Sequence, residues 1–173
     1  MSFNMNLFHN DRWSIGFSNL PNVDNRDLPM YDRFVKSVVV PDYNMEELIS
    51  YGPGGFQIRH QVAPKKNMNL SQLQIEFKLN EDLRNYLSLF IWMRDTKYAQ
   101  RVDTERFRDF TIKAINIEIM DNQKRLVAVL TFTKCFLLSL SSMSLENGTS
   151  DEVTFTTNFS YEEINYQIKS INS

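Results

Sequence analysis

Two segments alternate so strictly between apolar and polar residues that they fit only one kind of local structure. In Gln72–Leu79, Leu73, Ile75, Phe77 and Leu79 interleave with Gln72, Gln74, Glu76 and Lys78. In Val153–Tyr161, Val153, Phe155, Thr157, Phe159 and Tyr161 interleave with Thr154, Thr156, Asn158 and Ser160. A period of two sends successive side chains to opposite faces of an extended chain. Each segment is therefore a strand with one face on a core and the other polar. The same period runs through Trp13, Ile15 and Phe17 within Arg12–Asn19, and through Phe56, Ile58, His60 and Val62. Phe34–Val40 is β-branched and stops at Pro41, as a strand does. Thr111–Met120 and Leu126–Phe136 flank Asp121-Asn122-Gln123-Lys124, whose turn chemistry makes a hairpin. Ile164, Tyr166 and Ile168 extend the last strand. The expectation is seven or eight strands.

One segment changes period. After Asn80, a candidate N-cap, Glu81 and Asp82 stand where a helix dipole favours negative charge. Leu83, Tyr86, Leu87, Phe90 and Met93 then recur at spacings of three and four, with Arg94 and Lys97 near the end. This predicts one amphipathic helix over about residues 80–97, lying outside the sheets and covering them with Leu83, Leu87 and Phe90. Asn22–Asp32, with Pro29, reads as a loop, and Gly52-Pro53-Gly54-Gly55 as a turn. Tyr43–Tyr51 is open between a short strand and a helical turn. Pro64–Asn69 is a basic connection and Leu137–Ser150 a Ser-rich one. Residues 1–11 read as a polar arm, and 12–173 as a single β domain.

The 173 residues carry 42% hydrophobic and 13% aromatic side chains, enough for a core and too many for a disordered chain. Lys and Arg number 19 against 21 Asp and Glu. A free-standing nucleic-acid binder needs a basic excess, and this chain has none. Cys135 is the single cysteine, so no intrachain disulfide forms and a reducing compartment is expected. Sequons at Asn69, Asn147 and Asn158 lack a secretory leader to give them meaning, and no apolar run spans a bilayer.

Catalytic chemistry finds no anchor. His9 lies in the arm and His60 within a strand, with nothing to pair them. Cys135 beside Lys134 has two readings: a thiol activated by the ammonium group, or a buried structural thiol, the second favoured. Gly52–Gly55 lacks the Lys-Ser/Thr and helix of a phosphate loop. Glu46-Glu47 and Glu162-Glu163 are solvated doublets. Arg101–Phe110 mixes basic and aromatic residues as RNA binders do, but Asp103, Glu105 and Asp109 neutralise Arg101, Arg106 and Arg108 one for one, which favours a salt-bridged surface or a subunit contact. The expected protein is not an enzyme and needs no metal or cofactor.

The order of elements carries a resemblance. A strand ending in Leu20-Pro21 leads to one ending in Val40-Pro41, then the Gly-Pro-Gly-Gly turn and the strand Leu73–Leu79. The helix with Leu83, Leu87, Phe90 and Trp92 follows, then the hairpin at Asp121. Phe132-Thr133-Lys134-Cys135-Phe136, the Ser-rich stretch Leu138–Leu145 and the aromatic strand Val153–Tyr161 complete it. Over roughly residues 12–168 this resembles the tail tube proteins of contractile bacteriophages, whose fold bacterial secretion and injection tubes share.

The resemblance implies two packed antiparallel sheets, a β-sandwich or barrel, with one flanking helix. It implies six copies per ring, rings stacked into a tail tube, and a lumen that conducts DNA and the tape-measure protein without binding DNA specifically. Sheath and baseplate proteins are the implied neighbours, and the virion tail, built after synthesis in the host cytoplasm, the implied location. A tube initiator or terminator with the same fold is one alternative. A monomeric barrel that binds a ligand in its mouth is another. On the tube reading, the candidate lumen-facing residues are Gln72, Gln74, Glu76 and Lys78 on one strand and Thr154, Thr156, Asn158 and Ser160 on the other. Outer solvent is the competing assignment for both faces.

Overall fold

The computed structural model describes residues 11–20, 28–41, 49–51, 57–59, 72–99, 110–143 and 152–169. Their elements are, in chain order, β1 (Trp13–Phe17), α1 (Leu28–Phe34), β2 (Val35–Val39), β3 (Ile49–Tyr51) and β4 (Gln57–Arg59). There follow β5 (Leu73–Lys78), α2 (Arg84–Ala99), β6 (Ile112–Met120), β7 (Leu126–Leu140), β8 (Thr154–Ser160) and β9 (Glu163–Ile168). β3 and β4 form a separate antiparallel pair on either side of Gly52–Gly55, and that turn itself lies outside the described residues. So do His9, His60, Pro64–Asn69 and nearly all of Arg101–Phe110.

The other seven strands join in the order β1-β6-β7-β8-β5-β2, with β9 also on β7, and every pairing is antiparallel. β7 holds two layers together. Its first part lies between β6 and β9, and its last part pairs with β8. β8 and β9 follow one another along the same side of β7: Ser160 is opposite Phe136, and Glu163 is opposite Thr133. Between them the Glu162 amide donates to the Thr133 carbonyl at 3.0 Å, so the ladder is not interrupted. One layer is β1, β6, the start of β7 and β9; the other is the end of β7, β8, β5 and β2. The result is a sandwich, not a closed barrel.

The turn from one layer to the other is made at Lys134, whose φ of 50° is left-handed, a conformation that costs a non-glycine residue energy. Directly across the ladder, Glu162 forms an ion pair with the Lys134 ammonium group. Phe132 and Cys135, three residues apart, both point into the core, so the period of two slips there by one residue. A bulge at Leu138 disturbs it again. That slip explains why Leu137–Leu140 reads as a connection in the sequence, yet belongs to β7.

The core between the layers is aromatic. Phe17 of β1 stacks on Phe77 of β5 at 6.2 Å, and Phe77 on Phe155 of β8 at 5.3 Å. Phe132, Phe155 and Phe159 are fully enclosed. The alternation of β5 and β8 is observed as expected: Leu73, Ile75, Phe77, Phe155, Thr157 and Phe159 are buried. Thr157 satisfies its hydroxyl by donating to the Ile75 carbonyl at 3.1 Å. The hairpin also forms at Asp121. Its carboxylate accepts the amides of Gln123 and Arg125, each at 2.8 Å, and pairs with the Arg125 guanidinium.

Two further expectations need correction. Part of the loop containing Pro29 is the start of α1. Proline fits a first helical turn because the amide it lacks has no partner there in any case. The helix α2 is present but begins after Leu83, which is itself left-handed at φ 59°. The face it turns to the sheets is Asn85, Leu89, Trp92 and Thr96, all buried, whereas Leu87 and Phe90 are exposed. Trp92 packs near Phe159 and donates its indole N–H to the Phe110 carbonyl at 3.0 Å; Tyr86 meets the edge of Phe155.

Two polar residues hide that buried stripe from a hydrophobicity reading, and both are satisfied. The Asn85 amide group donates to the Lys78 carbonyl at 2.7 Å, and the Thr96 hydroxyl to the Trp92 carbonyl at 2.8 Å. Replacing Trp92 by Ala is therefore expected to cost about 3–5 kcal/mol. Phe90→Ala is expected to cost under about 1 kcal/mol, since surface changes stay small. Urea melts of the two variants check this, and equal losses would show that the buried face has been misassigned.

Candidate functional site

The eight polar positions singled out in the sequence fall on two strands that the chain places side by side. β5 and β8 are antiparallel neighbours, with Gln74 opposite Asn158, Glu76 opposite Thr156, and Lys78 opposite Thr154. Residues directly opposite in a ladder share a face. The same register continued by one residue sets Gln72 opposite Ser160. What the sequence shows as two separate polar faces is thus one surface on the outer side of the second layer.

Its neighbours widen it to four strands. On β2, Ser37 is opposite Glu76 and Val39 opposite Gln74. On β7, Ser139 is opposite Asn158 and Phe136 opposite Ser160. The Asn158 side chain donates to the Ser139 hydroxyl at 2.8 Å, and the Thr156 amide to the Ser141 hydroxyl at 2.8 Å. Sequence reasoning missed Lys36, Ser37, Ser139, Ser141 and Glu152. The polar residues of β2 sit within a β-branched run, and the bulge at Leu138 shifts the alternation that would have marked Ser139.

Both charged residues of the central pair are neutralised. Glu76 accepts from the Lys36 ammonium and from the Ser37 hydroxyl, each at 3.0 Å. The bond from Lys36, aided by those from Thr154 and Ser37, holds the Glu76 carboxyl below its usual range. Lys78 reaches Glu152 at 2.8 Å. These pairs are exposed and add little stability; their effect is on the surface's charge. Apart from Val39 and Phe136 at its margins, the face offers hydroxyl and amide groups with compensated charge, suited to holding water and poorly suited to gripping phosphate or an oppositely charged protein.

Cys135 is on the other side of the sheet, fully buried, with its thiol donating to the Phe132 carbonyl at 3.4 Å. Burial pushes its pKa up to about 12, so adjacency to Lys134 does not activate it. Lys134 instead points outward, to Glu162. Among the described residues no group of three or more His, Cys, Asp or Glu side chains could hold a metal ion.

No family model matches this sequence, and no curated protein matches it. Solved structures do. The tube-terminating cap of the anti-feeding prophage superposes with a TM-score of 0.59 at 11% identity, over 98% of this chain and 96% of that one. A chain of the six-fold symmetrised baseplate of the same particle gives 0.52 at 14% identity, over 99% and 100%. A chain of the sheath–tube complex of the extracellular contractile injection system PVC gives 0.51 at 13% identity, over 91% and 89%. At such identities the likeness is one of fold. The chain has, over nearly its full length, the fold found in components of contractile injection systems, as its element order suggested.

A direct check on the buried thiol is its reactivity. A thiol-specific reagent at pH 8 is expected to leave Cys135 unmodified in the native protein and to modify it fully in 6 M guanidinium, read by mass spectrometry. Rapid native labelling would place the thiol at the surface.

Proposed function

We propose that this chain is a structural subunit of a contractile-type tail. Six copies close into a ring whose inner wall is the polar face of β7, β8, β5 and β2, and rings stack into a tube that conducts DNA. The domain from residue 12 onward forms the ring and residues 1–11 an arm. Sheath, tape-measure and baseplate proteins are its partners in a virion tail assembled after synthesis in the host cytoplasm. The observation that carries this reading is the four-strand polar wall with its charges compensated in place. A conduit needs a surface that stays hydrated and does not retain what passes along it.

The geometry is sufficient. Four strands about 4.8 Å apart, taken six times, give a circumference of roughly 115 Å and a backbone diameter near 37 Å before strand tilt widens it. Removing a side-chain layer of about 5 Å on each wall, half the usual spacing between stacked sheets, leaves a bore of roughly 27 Å. Among the described residues no strand lies beyond β2, so that edge is available to continue the sheet into another copy. The six-fold number follows the symmetrised baseplate that this fold resembles.

A tube-terminating role is a second reading, favoured by the higher TM-score to the prophage cap, 0.59 against 0.51 for the sheath–tube chain. A terminator makes one ring and stops, because its outer axial face does not accept another. Negative-stain microscopy and analytical ultracentrifugation of the purified protein separate the readings. Stacked tubes are expected for a tube subunit and single rings for a terminator. A species of 20.4 kDa at every concentration would refute both and leave a monomeric ligand-binding protein as the alternative.

The wall assignment has its own test. With Cys135 buried, single cysteines at Gln74 and Thr156 report alone. In assembled rings or tubes, a maleimide too bulky for the bore is expected to label these positions at least about tenfold more slowly than in dissociated subunits. Equal rates would place the polar face on the outside.

A further inference from the structure

Two bare apolar patches stand at opposite ends of β7. The first is on α2, where Leu87 (44% exposed), Phe90 (50%) and Ile91 (37%) form a stripe facing away from the sheets. It borders a groove between α2 and the end of β7, where Tyr86, Phe90, Met93 and Leu140 are joined by Arg94, Lys97 and Ser142. The second is a flap made by the far ends of β6 and β7 with β9. There the inward face of the first layer runs on beyond the core. Ile15, Ile117, Leu130 and Tyr166 form one cross-strand row on that face. The first two are buried and Tyr166 is 73% exposed; in the next row Ile168, opposite Ala128, is 75% exposed.

We propose that the flap of one copy, through Tyr166 and Ile168, covers the Leu87–Phe90–Ile91 stripe on α2 of the next copy. Within the folded chain neither patch covers the other: Leu87, Phe90, Ile91, Tyr166 and Ile168 all remain exposed. Taken over both patches, the five large apolar side chains expose roughly 500 Å² of apolar surface, about half of it on each. That area suits the apolar centre of an interface of about 1,200 Å² in total. Because the surfaces differ, the contact is head-to-tail and repeats, the geometry that yields rings or filaments and not closed pairs. The inference rests on the self-assembly proposed above and names surfaces that carry it.

The test places cysteines at Phe90 and Ile168 in one chain, leaving buried Cys135 in place, and oxidises the native protein at assembling concentration. Covalent dimers, trimers and higher species on a non-reducing gel are expected, while either single variant stops at dimer. Separately, Phe90→Glu and Tyr166→Lys are each expected to raise the concentration for half-assembly at least about tenfold. Melting temperatures should stay within about 2 °C, because both positions are exposed. Rings or tubes that assemble without a ladder would overturn this contact and leave the tube reading standing. A ladder from particles that are neither rings nor tubes would uphold the contact and sink the tube reading. Monomers without a ladder would end both.

Discussion

The uninterrupted pairing of β7 with β8 and β9 is the constraint on which the rest of the fold depends. One antiparallel ribbon serves both layers, so they cannot be laid down independently. The ribbon turns where Lys134 adopts a left-handed backbone, opposite Glu162, and the Glu162 amide keeps the ladder joined across the turn. Bending it folds one end of β7 over the other and encloses the aromatic core that links Phe17, Phe77 and Phe155. The helix α2 then seals the remaining side through Leu89 and Trp92.

That arrangement leaves the outer face of the second layer with no packing duty, and its composition follows. The inward positions of β5 and β8 are apolar or, at Thr157, internally satisfied. The outward ones are hydroxyls, amides and two charges, each with a counter-charge supplied from another segment: Lys36 for Glu76 and Glu152 for Lys78. Exposed ion pairs of this kind also occur elsewhere on the chain, as at Arg125–Asp121 and Lys134–Glu162. In the proposed tube the pairing has a further effect, since an uncompensated charge repeated around a ring would add into a field that holds or excludes the cargo.

In the assembly proposed above, the exposed stripe on α2 and the exposed underside of the flap are covered by neighbouring copies. Among the described residues β9 pairs with β7 alone, and Tyr166 and Ile168 continue a core face to exposed positions. Exposed edges and exposed apolar faces of this kind are liabilities in a monomer. In a repeating assembly they are the joints.

Period and composition determined much of this from the sequence alone. The strands around Leu73–Lys78, Thr154–Ser160 and Trp13–Phe17, their inward residues, the hairpin at Asp121 and the presence of a single long helix all follow from local patterns. A period of two or of three and four is a property of neighbouring residues. The tertiary structure decided what depends on residues far apart. It set β5 beside β8, merging two polar faces into one wall. It turned Leu87 and Phe90 outward because Asn85 and Thr96 find partners that let their side of α2 be buried. It extended β7 through Leu140, because a left-handed residue and a bulge reset the alternation without ending the strand. It also settled between the two readings of Cys135, since burial in an apolar core outweighs the charge of the adjacent Lys134, whose side chain points the other way. No local pattern carries those outcomes: each is fixed by which distant segment supplies the partner.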